Sequence, residues 1–429
     1  MNSKAPSECY VYITLPGATE PVTAARFELT KNRADLPLGR LVYGKSYLER
    51  DDAVPFDPVE LKLAPRAYET TALNGIFGAL RDASPDSWGR RVIERHVGKT
   101  GLSELDYLLN SPDDRAGALG FGLWPKPPAP ERKFNKTIDL AKLQAIADAI
   151  VNDEELPAIP EVAQAQELLL VGTAMGGARP KAVVEEDGAL WIAKFNRKDD
   201  KWNEARVEHA MLKLARSCGL AAAESKIVTI GGQDVLLVKR FDRERTNAGY
   251  RRARMVSALT LLRAEDSHRS RDKWSYIALV EELRRVSGEA RADAAELFRR
   301  MCFNALISNI DDHPRNHAII ARARDWRLSP AYDLTPTALI SLEDRDLAMI
   351  CGDQGRIANA ANLLSQSARF LLSGDGAKGM VNAMRDHVRG TWYEVARGAG
   401  VSEKDCERIA GAFAYPGFDL ERVQPVDQR

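Results

Sequence analysis

Three side chains in this sequence have the types and spacing for phosphoryl transfer. Asp311 opens the run Asp311-Asp312-His313-Pro314-Arg315-Asn316, and Asp333 follows in Ser329-Pro330-Ala331-Tyr332-Asp333-Leu334. An acid five residues before an asparagine, then a second acid beyond a short hairpin, suits transfer from a magnesium nucleotide. Asp311 would orient a substrate hydroxyl and accept its proton. Asn316 and Asp333 would supply oxygen ligands to Mg²⁺, which prefers a few such oxygens completed by phosphate and water. Asp312 is the weaker candidate acid. His313 reads as a brace of the loop that also comes near the nucleotide. It is read as structural and not as a metal ligand. Alone, each of these residues would be a turn residue; their combination carries the reading of a kinase.

A kinase also needs a phosphate-binding loop and a lysine. Gly176 and Gly177, followed by Ala178, Arg179, Pro180 and Lys181, allow close backbone approach to phosphate oxygens, with Arg179 and Lys181 adding positive charge. Taken alone, a Gly-Gly between strand-like runs is more often a hairpin turn. Downstream, Leu190-Trp191-Ile192-Ala193-Lys194-Phe195 places one lysine in an apolar strand, where it is costly without an anionic partner such as a phosphate. The alternative is a surface lysine on an edge strand. Val207, Ala210, Met211, Leu214, Ala215 and Cys218 then mark an amphipathic helix stopped by Gly219. Glu208 beside that stripe would orient Lys194, with Glu204 as rival and a solvated glutamate as the plain reading. Lys239, Arg240 and Phe241 end the strand-like run from Asp234 and stand where main-chain groups would meet the adenine edge.

These residues are positioned by a chain of 429 residues, 45% hydrophobic, with 61 Lys plus Arg against 61 Asp plus Glu. Such a chain buries large cores, and its balanced charge argues against nucleic acid as a sole, direct partner, although Arg251-Arg252-Ala253-Arg254 is a local basic patch. The five cysteines form no CxxC pair and fit a reducing cytoplasm without zinc. No run approaches the roughly 18 apolar residues of a membrane span. The segment Pro125-Lys126-Pro127-Pro128-Ala129-Pro130 breaks the chain. The expected organisation is an α/β module over residues 1–124, a linker over 125–134, a nucleotide-binding part over 135–248 and a helical catalytic domain over 249–429. The fold class is α+β, a kinase-like bilobal fold with a mixed α/β N-terminal part and an all-helical C-terminal domain. Helices are expected at Asp86–His96, Trp274–Val286, Ala292–Ile310, Asn359–Leu372, Gly379–Ala396 and Glu403–Phe413, with a hairpin of Ala318–Ile320 and Trp326–Leu328 returning Asp333 to Asn316.

Several of these motifs, in this order, resemble the HipA family of toxin kinases. They are Gly176 to Ala182, Ile192 to Phe195, Lys239 to Arg243, Asp311 to Ala318 and Leu328 to Asp333, joined in the N-terminal part by Arg81 to Arg90 and Asp114 to Phe121. The resemblance implies a serine/threonine protein kinase using ATP and Mg²⁺, the toxin of a type II toxin–antitoxin module that phosphorylates a translation component such as an aminoacyl-tRNA synthetase and favours growth arrest or persistence. It implies a small HipB-like helix-turn-helix antitoxin as partner, operator DNA through that antitoxin, and a cytoplasmic location. Carried over by position, Lys194 contacts nucleotide phosphates, the Gly176 to Lys181 loop covers them, Asp311 is the catalytic acid, and Asn316 and Asp333 bind magnesium. Two rival readings are a small-molecule phosphotransferase and a non-catalytic nucleotide-binding corepressor scaffold.

One position departs from the family. HipA-like kinases commonly carry an autophosphorylated serine two residues before the small-Gly pair of this loop, and here that position is Ala174. Regulation then lies elsewhere, with neighbouring Thr173 as candidate, or the alanine keeps the unphosphorylated state. Incubation with Mg-ATP is expected to leave residue 174 unmodified, and phosphopeptide mapping that finds no phosphate at Thr173 either dismisses it as a substitute site.

Overall fold

The structure, a computed structural model, describes residues 6–130, 134–136, 140–152, 154, 169, 179–337 and 345–419. They fall into two compact units. Met1–Lys198, Ser225–Arg263 and Ala318–Ser329 form the first; Asp199–Glu224, Ala264–His317 and Pro330–Arg429 form the second.

The first unit is built on two five-stranded sheets. In one, strands β1 (Glu8–Thr14), β2 (Pro21–Lys31), β3 (Pro37–Tyr43), β4 (Ala67–Thr70) and β5 (Leu119–Gly122) pair antiparallel in the order β4-β3-β2-β1-β5. Helix α1 (Ser87–Val97) starts where Asp86 accepts from the Gly89 N–H, and α2 (Glu104–Asn110) starts at a Ser103/Asp106 capping box. The other sheet contains β6 (Asn135–Lys136), β7 (Lys181–Glu186), β8 (Ala189–Phe195), β9 (Ser225–Ile230) and β10 (Gln233–Lys239), in the order β6-β7-β8-β10-β9. On one face, alternate residues Trp191, Ala193 and Phe195 of β8 and Val235 and Leu237 of β10 are buried with Trp88 and Val92 of α1 and with Leu143 and Ile150 of α3 (Leu140–Val151). The period of two thereby turns every second side chain of these strands into core.

Residues after 249 are not helical throughout. A hairpin of β11 (Arg243–Thr246) and β12 (Gly249–Arg252) is followed by β13 (Arg254–Ser257), which pairs with β14 (Ala318–Ala321), itself paired with β15 (Arg327–Leu328). The β14–β15 pairing is the hairpin expected from the sequence. The short β13, with its own arginine at the start, gave no periodic signal to read.

The second unit is helical. Its main members are α4 (Glu204–Ser217), α5 (Tyr276–Val286), α6 (Ala290–Leu306) and α7 (Gly374–Gly398), with α7 packing on α4 and α6. Val207, Ala210, Met211, Leu214 and Ala215 of α4 are all buried, as their spacing requires. The expected 292–310 helix ends early, at Leu306, because Ser308 takes a left-handed backbone (φ 53°). Ala414 N–H on Leu306 O and Thr337 N–H on Ser308 O then fix that exit. The 359–372 expectation divides into Ala360–Ser365 and a separate turn at Ser367–Phe370. Among the described residues no helix is long and apolar enough to cross a membrane.

A buried ion cluster knits the first unit together. Arg240, 1% exposed in its side chain, holds both carboxylate oxygens of Asp114 at 2.6 Å and bonds Asp242 through Nε and Nη2. Arg243 joins Asp242 and Asp114, and the Gly117 N–H closes on Asp242 at 2.9 Å. Burial alone would raise the Asp242 carboxyl, but Arg240 and Arg243 outweigh it and hold the group well below the usual carboxylate range. A folded-state value below the unfolded one adds stability that is complete above the unfolded value of about 3.9 and is lost as pH falls below it. Thermal melts are therefore expected to show stability falling below about pH 4, with a flatter acid limb in Asp242→Asn; equal acid limbs in the two proteins refute this.

Candidate active site

The loop leaving α6 folds onto itself. Asp311 O accepts two bonds, from the His313 N–H at 2.8 Å and from Asn316 Nδ2 at 3.2 Å, and Asn316 N–H in turn bonds His313 O at 2.9 Å. An amide that donates through Nδ2 turns Oδ1 the other way, leaving a hard oxygen donor on the opposite side of Asn316. Pro314 begins the one-turn 3₁₀ helix Pro314–Asn316, where its missing N–H loses nothing.

Adjacent aspartates have opposite surroundings. Asp312 is 1% exposed, with both carboxylate oxygens against His317 Nε2 at 3.0 and 3.1 Å. Asp311 reaches solvent, and its carboxylate makes no hydrogen bond or ion pair among the described residues. Partial burial raises the Asp311 carboxyl, His313 and Arg271 pull it down, and Asp333 and Asp266 push it up; the net shift is upward. An open carboxylate with raised basicity is the form a proton acceptor takes.

Asp333 is itself held from both sides. Tyr332 Oη donates to Arg315 O at 2.8 Å, joining the Asp333 segment to the loop. Ala331 exchanges bonds with Ala221 (2.7 Å) and Ala223 (2.9 Å), and Ala221 N–H also bonds Glu296 of α6 at 3.1 Å. The backbone at Asp333 is left-handed, φ 58°, a conformation aspartate tolerates and branched residues resist. Arg315 Nε on Asp266 at 3.1 Å and the Trp274 ring 6.3 Å from His313 bring the 266–274 stretch against the same loop. The oxygen donors of Asn316 and Asp333 fit a hard cation whose other ligands come from phosphate and water. Among the described residues no group of three or more His, Cys, Asp or Glu side chains could hold a metal alone.

The remaining expected site residues have varied placements. Gly176, Gly177 and Ala178, with Thr173 and Ala174, lie outside the described residues. Arg179 is half-buried just before β7. Lys181 is corrected from phosphate contact to structural cation. It is 2% exposed, and its ammonium lies 2.9 Å from the Asp86 carboxylate that also caps α1. Lys194 is half-buried on β8, opposite Leu236 of β10. It belongs to the first unit, whereas Glu208, 6% exposed on α4, belongs to the second. Arg240 gives its guanidinium to Asp114 and Asp242 and its main-chain N–H to Leu190 O. Phe241 O already accepts from Arg322 at 2.8 Å, and Lys239 pairs with Trp191 at the end of β10. His313 makes its loop bonds through the backbone, and Nδ1 is buried without a partner among the described residues.

Comparison with known proteins follows the same lines. A family model described as the HipA-like C-terminal domain matches residues 173–410. The chain is 25% identical over 342 residues to the putative kinase Y4mE of Sinorhizobium fredii (strain NBRC 101917 / NGR234), covering 74% of this chain and 76% of that protein. It is 30% identical over 182 residues to the putative kinase Y4dM of the same organism, covering 39% and 42%. A HipA from Shewanella oneidensis MR-1, solved with HipB and its operator DNA, superposes with a TM-score of 0.66 at 16% identity, over 96% of this chain and all of that one. At that identity the likeness is one of fold.

Because Tyr332 Oη spans the loop and the Asp333 segment, Tyr332→Phe removes one bond of about 1 kcal/mol. Steady-state kinetics of ATP turnover are expected to show kcat lower by roughly fivefold and half-saturation at higher Mg²⁺. Unchanged values dismiss the link.

Proposed function

This chain belongs to the family defined by the HipA-like C-terminal domain and is a kinase, and from that premise we propose that it moves the γ-phosphoryl group of Mg-ATP to a serine or threonine of a protein. The observation that carries the reading is the open Asp311 carboxylate beside an Asn316 tied to Asp311's own carbonyl. Asp311 accepts the hydroxyl proton as the hydroxyl oxygen bonds the γ-phosphorus; the bond from that phosphorus to the β,γ-bridging oxygen breaks, its electron pair leaves with ADP, and the phosphorylated side chain remains. Asn316 and Asp333 would hold Mg²⁺, which, when bound, supplies positive charge against the phosphate oxygens. Lys194 contacts the phosphates, and Gly176 to Arg179 cover them.

In the cell the protein acts as the toxin of a toxin–antitoxin module, in the cytoplasm, on a translation component such as an aminoacyl-tRNA synthetase. A HipB-like antitoxin is its partner and brings it to operator DNA. Two observations support this assignment: the HipA of matching fold was solved with HipB and operator DNA, and a net charge of zero suits a chain that reaches DNA through another protein.

Asp311→Asn keeps shape and removes the proton acceptor. ATP turnover with phosphate transfer to protein in a lysate of the source organism is expected to fall by about 100-fold or more. Turnover indifferent to the change would favour a nucleotide-binding scaffold, and turnover dependent on a metabolite in place of protein would favour a small-molecule phosphotransferase.

A further inference from the structure

Directly beneath the open carboxylate lies a buried polar chain that the reaction does not touch. Asp312 and His317 are 1% and 2% exposed, and their side chains meet at 3.0 and 3.1 Å. The His317 ring packs edge-on against Tyr276 of α5, with centroids 5.3 Å apart. Tyr276 Oη accepts from Asn304 of α6 at 3.1 Å, and Asn304 Oδ1 accepts from Asn309 at 3.1 Å. Side chains of two helices thus reach the residues that flank this loop, His317 on one side and Asn309 on the other.

The sequence positions of the pair matter most. Asp312 is bonded to Asp311 and His317 to Asn316, so each pair member stands one peptide unit, about 3.8 Å between Cα atoms, from a functional residue. A bond between 312 and 317 therefore sets the spacing of 311 and 316 from below, while Asn316 Nδ2 on Asp311 O sets it from above. Burying a carboxylate and an imidazole is unfavourable compared with apolar side chains of the same volume. Packing alone does not account for their presence here; a directional bond at this place does.

We propose that Asp312 and His317 are positioning residues for phosphoryl transfer, a strut that fixes the distance between the proton acceptor Asp311 and the magnesium ligand Asn316. The inference rests on the kinase reading above. It goes beyond that reading by giving the second aspartate of the Asp-Asp pair a task that is neither catalysis nor metal binding.

The test compares wild type, Asp312→Asn, and the double variant Asp312→Leu with His317→Leu, using ADP release from Mg-ATP, Mg²⁺ titration of that rate, and thermal melts. The double variant replaces the pair with apolar groups of similar volume, so it is expected to melt at or above the wild-type temperature. Its kcat is expected to fall roughly ten- to a hundredfold with half-saturation at clearly higher Mg²⁺, because a small misplacement of reacting groups is enough. Asp312→Asn, which keeps one accepting oxygen, should lie between. A double variant that melts like wild type and keeps wild-type kcat and Mg²⁺ dependence overturns the strut. If the double variant does not fold, Asp312→Asn decides, and wild-type kinetics there overturn it equally. A wild-type protein that releases no ADP overturns the kinase reading itself, an outcome seen in the control and not in the variants.

Discussion

A carboxylate that is to take a proton has to stay without a partner, and everything around it has to be fixed by partners of its own. Asp311, the proposed proton acceptor, sits at that intersection. Its backbone carbonyl accepts two bonds, its neighbour Asp312 is sealed against His317, and the incoming Asp333 segment is tied down by Tyr332 and Ala331, yet the Asp311 side chain is left open. Desolvation and the facing acids then raise its proton affinity, while His313 and Arg271 limit the rise. The loop achieves this with few residues because consecutive side chains of an irregular segment face different ways, one toward solvent and the next into the protein.

The same economy runs through the first unit, where charge serves cohesion. Asp86 caps α1 and neutralises Lys181 on β7, joining a helix and a strand through one carboxylate. Arg240 and Arg243 bring Asp114, the Arg115 carbonyl and Asp242 into one cluster, with Arg115 itself fully buried and donating to three carbonyls. Such clusters are favourable only when every member is satisfied, and removal of one member leaves an uncompensated charge.

Much of this was legible in the sequence where the signal is local. The alternation of β8 displays Lys194 on a strand, the i, i+3, i+4 stripe of α4 gives its buried face, Asp86 announces a helix start, and the order Asp311, Asn316, hairpin, Asp333 carries the candidate site. What stayed hidden was the choice of long-range partners. A lysine after a glycine pair reads as a phosphate ligand, but Lys181 finds its anion 95 residues earlier in the chain. Arg240 bonds the nearby Asp242, but its other carboxylate, Asp114, lies 126 residues earlier. His317 carries no periodic signal that links it to Asp312. Residue type tells that a cation needs an anion; only the folded chain tells which one. The early end of α6 was hidden for a related reason, since apolar periodicity continues through Ile310 while a left-handed serine ends the helix first.

The order in which the chain visits its two units has its own consequence. Each unit is assembled from three separate stretches, with Ala318–Ser329 returning to the first after the 264–317 stretch has gone to the second. Neither can be excised as one contiguous fragment. During synthesis β13 emerges long before β14, the strand it pairs with, so its edge waits exposed on the ribosome while the intervening helices are made. Completion of the first unit is thus a late event in the life of the nascent chain, and a product cut short before residue 318 would lack both that pairing and the Asp333 arm.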